Sequence, residues 1–200
     1  MDKLYAFISK LATGLIILMM VSGGVMPANA ENHNETESRY QAELDQLFST
    51  LSAAETLEES EKIITNIWQI WRTDTEDSVN IQMMRRGIGF MEQGDYINAE
   101  AMFTRIINRD HGFAEAWNKR ATIRYLMGNL DGSEDDINEV LKREPRHFGA
   151  LSGLGMIYLQ RGQLQSALET YQDILTIHPM NPDANQLIPE IKLKLRGEPA

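Results

Sequence analysis

The side chains best suited to chemistry are few, and their spacing does not assemble a reaction. The four histidines, His33, His111, His147 and His178, lie far apart, and none forms the i, i+4 pair that holds a metal on one helix face. There is no cysteine, hence no thiolate ligand, cysteine nucleophile, disulfide or acylation site. Neither a serine elbow nor a glycine-rich phosphate loop after a strand is present. The acidic pair Asp135 and Asp136 falls on a helical segment with no metal or sugar cleft to frame it. The chain therefore reads as a non-enzyme, with no catalytic residue, cofactor or metal site.

The basic residues hold more chemistry. Arg120 and Arg124 are one helical turn apart, on the same side as Trp117 and Ala121. A guanidinium on a half-buried face must find carboxylates or carbonyls, because an unpaired buried charge is very costly. Two uses stay open. One is an internal ion-pair network with Asp135, Asp136 or Glu139 that fixes how helices stack. The other is an anion or carboxylate site built from Arg120, Arg124 and Lys119, with Arg86, Arg146 and His147 contributing.

The element that must position these groups is a repeat. Sliding Ala114 to Pro145 by 34 residues carries Trp117, Ala121, Gly128, Ile137 and Pro145 onto Leu151, Gly155, Gly162, Tyr171 and Pro179 in one direction. In the other it carries them onto Met83, Gly87, Gly94, Phe103 and His111. Within each copy apolar or small residues recur at helical spacing on either side of a glycine, which predicts a helix, a tight turn and a second helix. Small residues at Gly87, Ala121 and Gly155, and at Ala99, Ser133 and Ala167, let the paired helices approach closely. One hairpin cannot bury its own apolar face, so the copies must stack.

This 34-residue period, with a large residue fourth, a small one eighth, Gly fifteenth, a small one twentieth and Pro near the end, resembles the tetratricopeptide repeat (TPR). The third copy carries the pattern most fully, in Leu154, Gly155, Tyr158, Ala167, Tyr171 and Pro179. The segments AEAWNKRAT, RYLMG and EPRHFGAL further resemble a group of short exported bacterial members, over about Leu44 to Asn181. The resemblance implies an all-α, right-handed TPR solenoid. It also implies a concave groove lined by the second, fifth, ninth and twelfth residues of each copy. These include Met84, Ile88 and Met91, then Asn118, Thr122 and Tyr125, then Ser152, Met156 and Leu159. Relatives that grip the carboxylate end of chaperone tails place Lys, Asn and Arg where this chain has Met84, Ile88, Gly149 and Gly153, so that clamp is absent. Methionines repack around varied apolar side chains, which suits a peptide or amphipathic helix as ligand. Met84 and Met91 serve equally well to cover the N-terminal capping helices.

The flanks complete the organisation. Residues 1–30 have a positive start in Lys3 and Lys10, an eleven-residue apolar core in Leu11 to Val21 and a small-residue end in Ala28-Asn29-Ala30, the pattern of a secretory leader cleaved after Ala30. The apolar run is shorter than the roughly 20 residues a membrane-spanning helix needs. Residues 31–37 read as a disordered polar lead-in. Residues 38–78 read as a capping helix pair and linker, with Trp68 and Trp71 covering the exposed face of the first repeat. Three repeats follow at 80–113, 114–147 and 148–181. Residues 182–200 read as a C-terminal capping helix and tail, kinked or shortened at Pro189.

The net charge of −10 over 200 residues opposes nucleic acid and anionic lipid surfaces as partners. The sequence thus leads to an exported, periplasmic or secreted interaction scaffold without membrane insertion after leader cleavage. Its groove would bind a protein or peptide of the cell envelope. Self-association through a poorly covered end repeat and anion binding by the arginines are the alternatives.

Overall fold

The computed structural model describes residues 28–75 and 77–197. Among them lie nine α-helices: α1 (Ala28–Ser52), α2 (Leu57–Thr73), α3 (Ser78–Glu92), α4 (Tyr96–Arg109), α5 (Ala114–Leu126), α6 (Leu130–Arg143), α7 (Phe148–Gln160), α8 (Leu164–Ile177) and α9 (Pro182–Leu195). Residues 1–39 and 40–200 form separate compact units, and all three repeats belong to the second. Of the leader pattern of residues 1–30, residues 1–27 lie outside the described residues and residues 28–30 begin α1. No described helix is long and apolar enough to cross a membrane.

Each repeat is one hairpin, α3/α4, α5/α6 and α7/α8, as expected for an all-α TPR solenoid. The turns share one chemistry. Gly94, Gly128 and Gly162 sit at φ of 74°, 81° and 71°, the left-handed region that glycine enters without steric cost. In the central hairpin Gly128 N–H donates to the Tyr125 carbonyl at 2.9 Å and Asn129 N–H to the Arg124 carbonyl at 2.8 Å, the paired bonds of a Schellman ending. Asp95 and Asn129 then accept from backbone amides of the following helix, so one helix is closed and the next opened within three residues.

Helix approach within a hairpin is set by matched sizes at the eighth and twenty-fourth positions. A Cβ on Gly87 would lie 2.6 Å from Phe103, and one on Gly155 would lie 2.8 Å from Tyr171. The central repeat uses Ala121 against the smaller Ile137, both buried. Two cores result. One joins Met84, Phe103, Phe113, Trp117, Ile123 and Val140 of the first two repeats. The other joins Leu44, Phe48, Ile67, Trp71, Tyr171 and Ile188, drawn from α1, α2, the third repeat and α9.

The structure differs from three expectations. The N-terminal pair does not cover the first repeat through its tryptophans: Trp68 and Trp71 pack on Phe148 at the start of α7, with ring centroids 5.5 and 5.1 Å apart. Gly149 opens the slot, since a Cβ there would meet the Trp68 ring at 2.6 Å. The 31–37 segment is helical, because the chain from Ala28 to Ser52 contains neither Gly nor Pro to stop α1. Finally, α9 continues through Pro189 to Leu195, so the proline does not shorten it. Pro189 is exposed, as is the turn of Asn185, whose carbonyl loses its intrahelical donor and can turn to water.

The size matching makes a direct prediction. Gly155→Ala forces a methyl against the buried Tyr171 ring and should cost about 1–3 kcal/mol, read as a lowered Tm. Tyr171→Leu in the same chain should return part of that loss.

Candidate groove site

The inner face of the stack is built by the first helix of each hairpin, α3, α5 and α7, and α2 lies across part of it. Its first turn, its last turn and the residue pair just beyond it are anchored at three successive turns between repeats. Following α2, Thr75 Oγ1 donates to Asp110 Oδ2 at 2.9 Å in the turn before α5. In the next turn, Trp71 stacks on His147 with ring centroids 3.9 Å apart and 13° between planes. In the last, the His178 ring meets Ser60 Oγ at 2.7 Å. A bonding chain sets this last contact. Ala184 N–H donates to Asn181 Oδ1, so the Asn181 amide nitrogen donates to His178 Nδ1 at 3.2 Å. The neutral ring therefore carries its proton on Nε2, directed at Ser60. Burial holds the His178 pKa below its ordinary value.

His147 does similar work one turn earlier. Its Nδ1 accepts from Ala150 N–H at 3.1 Å and caps α7, which leaves Nε2–H facing Glu115 Oε2 at 3.3 Å. Glu115 is wholly buried. Asn118 donates to its Oε2 at 2.8 Å. Lys119 Nζ lies 3.0 Å from Oε1 as a charge neighbour, without the alignment of a hydrogen bond. Burial pushes this carboxyl up, but Lys119, together with the His147 contact, overcomes that and holds it down at about 2. Lys119 also sits 5.2 Å over the Trp68 ring.

The arginines at the back of the central hairpin are paired inside the protein. Arg120 grips Asp136 with two bonds, Nε to Oδ2 at 2.9 Å and Nη2 to Oδ1 at 2.7 Å, and its Nη1 donates to Thr104. Arg124 Nη1 lies 3.0 Å from the same carboxylate, and its Nε donates to Glu100 at 2.8 Å. Asp136 is 1% exposed. The pair thus joins α5 to α6 of its own repeat and to α4 of the one before. Arg161, just past the end of α7, likewise reaches back to the preceding repeat, at Asp131 and Glu134 of α6. Of the suggested carboxylates only Asp136 is used by Arg120 and Arg124. Asp135 is exposed, and Glu139 takes Lys142 and Arg143. Arg146 turns away to Glu144 and Asp45, while Arg86 is exposed and outside the network. Apart from Arg86, the basic residues are therefore dispersed over several internal pairings, and Arg120 has no open fork for an external carboxylate.

The groove residues divide by depth. Met84 is 2% exposed and, with Ile88, shares a hollow of about 360 Å³ with Thr65, Gln69 and Thr73 of α2. Asn118 is buried on Glu115. Met91 is half-buried and packs on the core of the first two repeats. What stays open is a trough along the ninth and twelfth positions of the later repeats. Thr122, Tyr125, Leu126, Ile137 and Met156 line one hollow of about 270 Å³. Tyr125, Met156, Leu159, Tyr171, Asp183 and Leu187 line the adjoining one of about 780 Å³. Ser152 lies in both. Leu126 and Met156, 48% and 43% exposed, stand at its mouth. Sequence reasoning missed Leu126, Asp183 and Leu187, which fall outside the four groove positions, and Glu115, although it is the second residue of its copy. The Glu115–Lys119 spacing of four was the available signal. Among the described residues no group of three or more His, Asp or Glu is placed to hold a metal.

Comparison with known proteins supports the architecture. The tetratricopeptide repeat profile matches residues 120–182. A TPR repeat-containing protein of Rhizobium etli is 30% identical over 201 residues, covering 98% of this chain and 97% of its own. Among solved structures, the first TPR of Spaghetti (RPAP3) bound to the HSP90 peptide SRMEEVD superimposes with a TM-score of 0.57 at 21% identity, covering 60% of this chain and 96% of that one. The second TPR domain of human RPAP3 in complex with the HSP70 peptide SGPTIEEVD gives 0.53 at 25% identity, covering 56% and 93%.

Two outcomes follow from the charges. Asp136→Ala leaves two guanidinium groups without their shared partner and should destabilise the fold by about 3–5 kcal/mol, measured by urea denaturation. Glu115 has a folded pKa below its unfolded value of 4.5, so its contribution is complete above about pH 4.5 and is lost as pH falls toward 2. Glu115→Gln should flatten the stability–pH curve in that window, relative to the unsubstituted chain.

Proposed function

Since the chain belongs to the tetratricopeptide-repeat family, we propose that it is a non-catalytic interaction scaffold that holds a peptide or helical segment of a cell-envelope protein in the open trough. One observation carries this reading. Exposed apolar side chains gather at the mouth of a concave, partly apolar channel, where the protein itself leaves Leu126 and Met156 about half uncovered. Such a face is a liability in a soluble monomer unless something docks on it. Two structural neighbours are solved with bound peptides, which supports a peptide as the kind of ligand.

The position of α2 narrows the reading. Part of the inner face is occupied by the chain's own helix, with Trp68 against Gly149 and Met84 under α2. A ligand is left Ser152 and the ninth and twelfth positions of the later repeats, an outer strip bordered by α9 through Leu187. An envelope partner is proposed from the leader pattern of residues 1–30, with cleavage after Ala30 placing the mature chain in the periplasm or outside the cell.

The test is affinity capture from envelope extract with a C-terminally tagged chain expressed from Met1, beside a Leu126→Asn, Met156→Gln variant shown to be folded by circular dichroism. These substitutions remove apolar contact without adding charge, and each buried side chain of this size contributes about 1.5–3 kcal/mol. The expected outcome is a mature mass beginning at Glu31 and a partner depleted tenfold or more from the variant. Equal capture by both would move the working surface away from the trough, and mass growing with concentration in the absence of partner would favour self-association.

A further inference from the structure

Taking the trough as the binding surface, we infer that the segment it accepts is cationic, and that a lysine or arginine of the partner enters the hollow between Tyr125, Tyr171 and Asp183. This rests on the proposed groove function and adds the chemistry of its ligand.

The walls of that hollow are rich in oxygen and carry no positive charge. Asp183, the phenols Tyr125 and Tyr171, Ser152 and Gln160 line it, and no lysine or arginine does. The adjoining hollow along Thr122, Leu126 and Met156 contains no charged side chain at all. A third, toward α2, adds Glu61 and meets Asp183 again, also without lysine or arginine. Basic residues able to neutralise this face are engaged at the back of the stack, on Asp136, Glu100 and Glu134.

Tyr171 gives an independent pointer. The residue is 1% exposed, yet it forms part of the wall, and no described side chain or backbone group hydrogen-bonds its hydroxyl. The ring is buried while the hydroxyl reaches the hollow, where it is open to a ligand. Burial first, then the nearby Asp183 charge and the Tyr125 phenol, push its pKa up to about 12. It therefore stays a neutral hydroxyl with free lone pairs beside a carboxylate. Asp183 makes no ion pair among the described residues.

The apolar lining suits the stem of the same ligand side chain. Met156, Leu159 and Leu187 border the oxygen cluster, so a long basic side chain can lay its methylenes along them and present its charged head to Asp183 and the two phenols. An acidic segment would meet like charge at Asp183 and no donor beyond hydroxyls and amides. The preference is opposite to the acidic peptides of the two solved complexes, SRMEEVD and SGPTIEEVD. Charge complementarity with a protein of net −10 would also speed encounter.

The experiment titrates the purified protein with two fluorescent 14-residue amphipathic peptides, identical except that every lysine of the first is glutamate in the second. We expect the Leu/Lys peptide to bind at least tenfold more tightly than the Leu/Glu peptide, and salt to weaken it. Asp183→Asn should weaken it about tenfold and Tyr171→Phe about threefold, with Tm checked for each. Asp135→Asn, which removes an exposed charge on α6, should leave it unchanged. Equal binding of the two peptides, or binding of neither, overturns the inference. So does a loss with Asp135→Asn as large as that with Asp183→Asn, since diffuse charge then suffices. If the cationic preference fails but Leu126→Asn, Met156→Gln still loses the envelope partner, the groove reading stands without it. If that variant keeps the partner, the groove reading falls as well.

Discussion

The stack depends on how near the two helices of a hairpin can come. Only when a glycine or alanine faces an aromatic or branched side chain across the hairpin do the axes draw close enough to exclude water between them. The pairs Gly87–Phe103, Ala121–Ile137 and Gly155–Tyr171 exchange volume from one helix to the other, and the buried Asp136 carboxylate can be reached by two arginines of the facing helix for the same reason. Close approach also makes the ion pairs obligatory. A carboxylate 1% exposed has no water to fall back on, so Arg120 and Arg124 are held to one register.

Much of this was legible in the residues. The spacing of Gly94, Gly128 and Gly162 marks where a left-handed turn must fall, and the small residues mark the contact line, because both are local demands that recur with the period. Asp136 was legible too: it lies on the buried stripe Ser133, Ile137 and Val140 of α6, whereas Asp135 and Glu139 fall off it. The path of α2 was not. Its anchors join Ser60 to His178 across 118 residues, and no periodic signal says that Gly149 is empty so that Trp68 can fill it. Glu115 escaped notice because its partners Asn118, Lys119 and His147 are ordinary surface types that become a buried set only when α5 and α7 stack.

The groove is therefore a shared property of the repeats and of the segment before them. The inner face is divided between an occupied strip under α2 and an open strip bordered by α9. The same division separates the charges: Lys119 and His147 serve Glu115 beneath α2, Arg120 and Arg124 serve Asp136 behind the stack, and Asp183 is left facing the open strip.

Arrays of repeats are nearly one-dimensional, each unit touching only its neighbours, so their ends tend to fray independently. Here α2 and the residue pair Thr75–Asp110 following it bind one turn after another, from the turn before α5 to the turn before α9. A strut laid across every junction couples units that would otherwise loosen separately, and turns a zipper-like sequence of openings into a single cooperative event. It does so through contacts between residues very distant along the chain, which slow folding because the intervening loop must close first. The array would thus form more slowly than an unbraced stack of the same length, and release its end repeats less readily once formed.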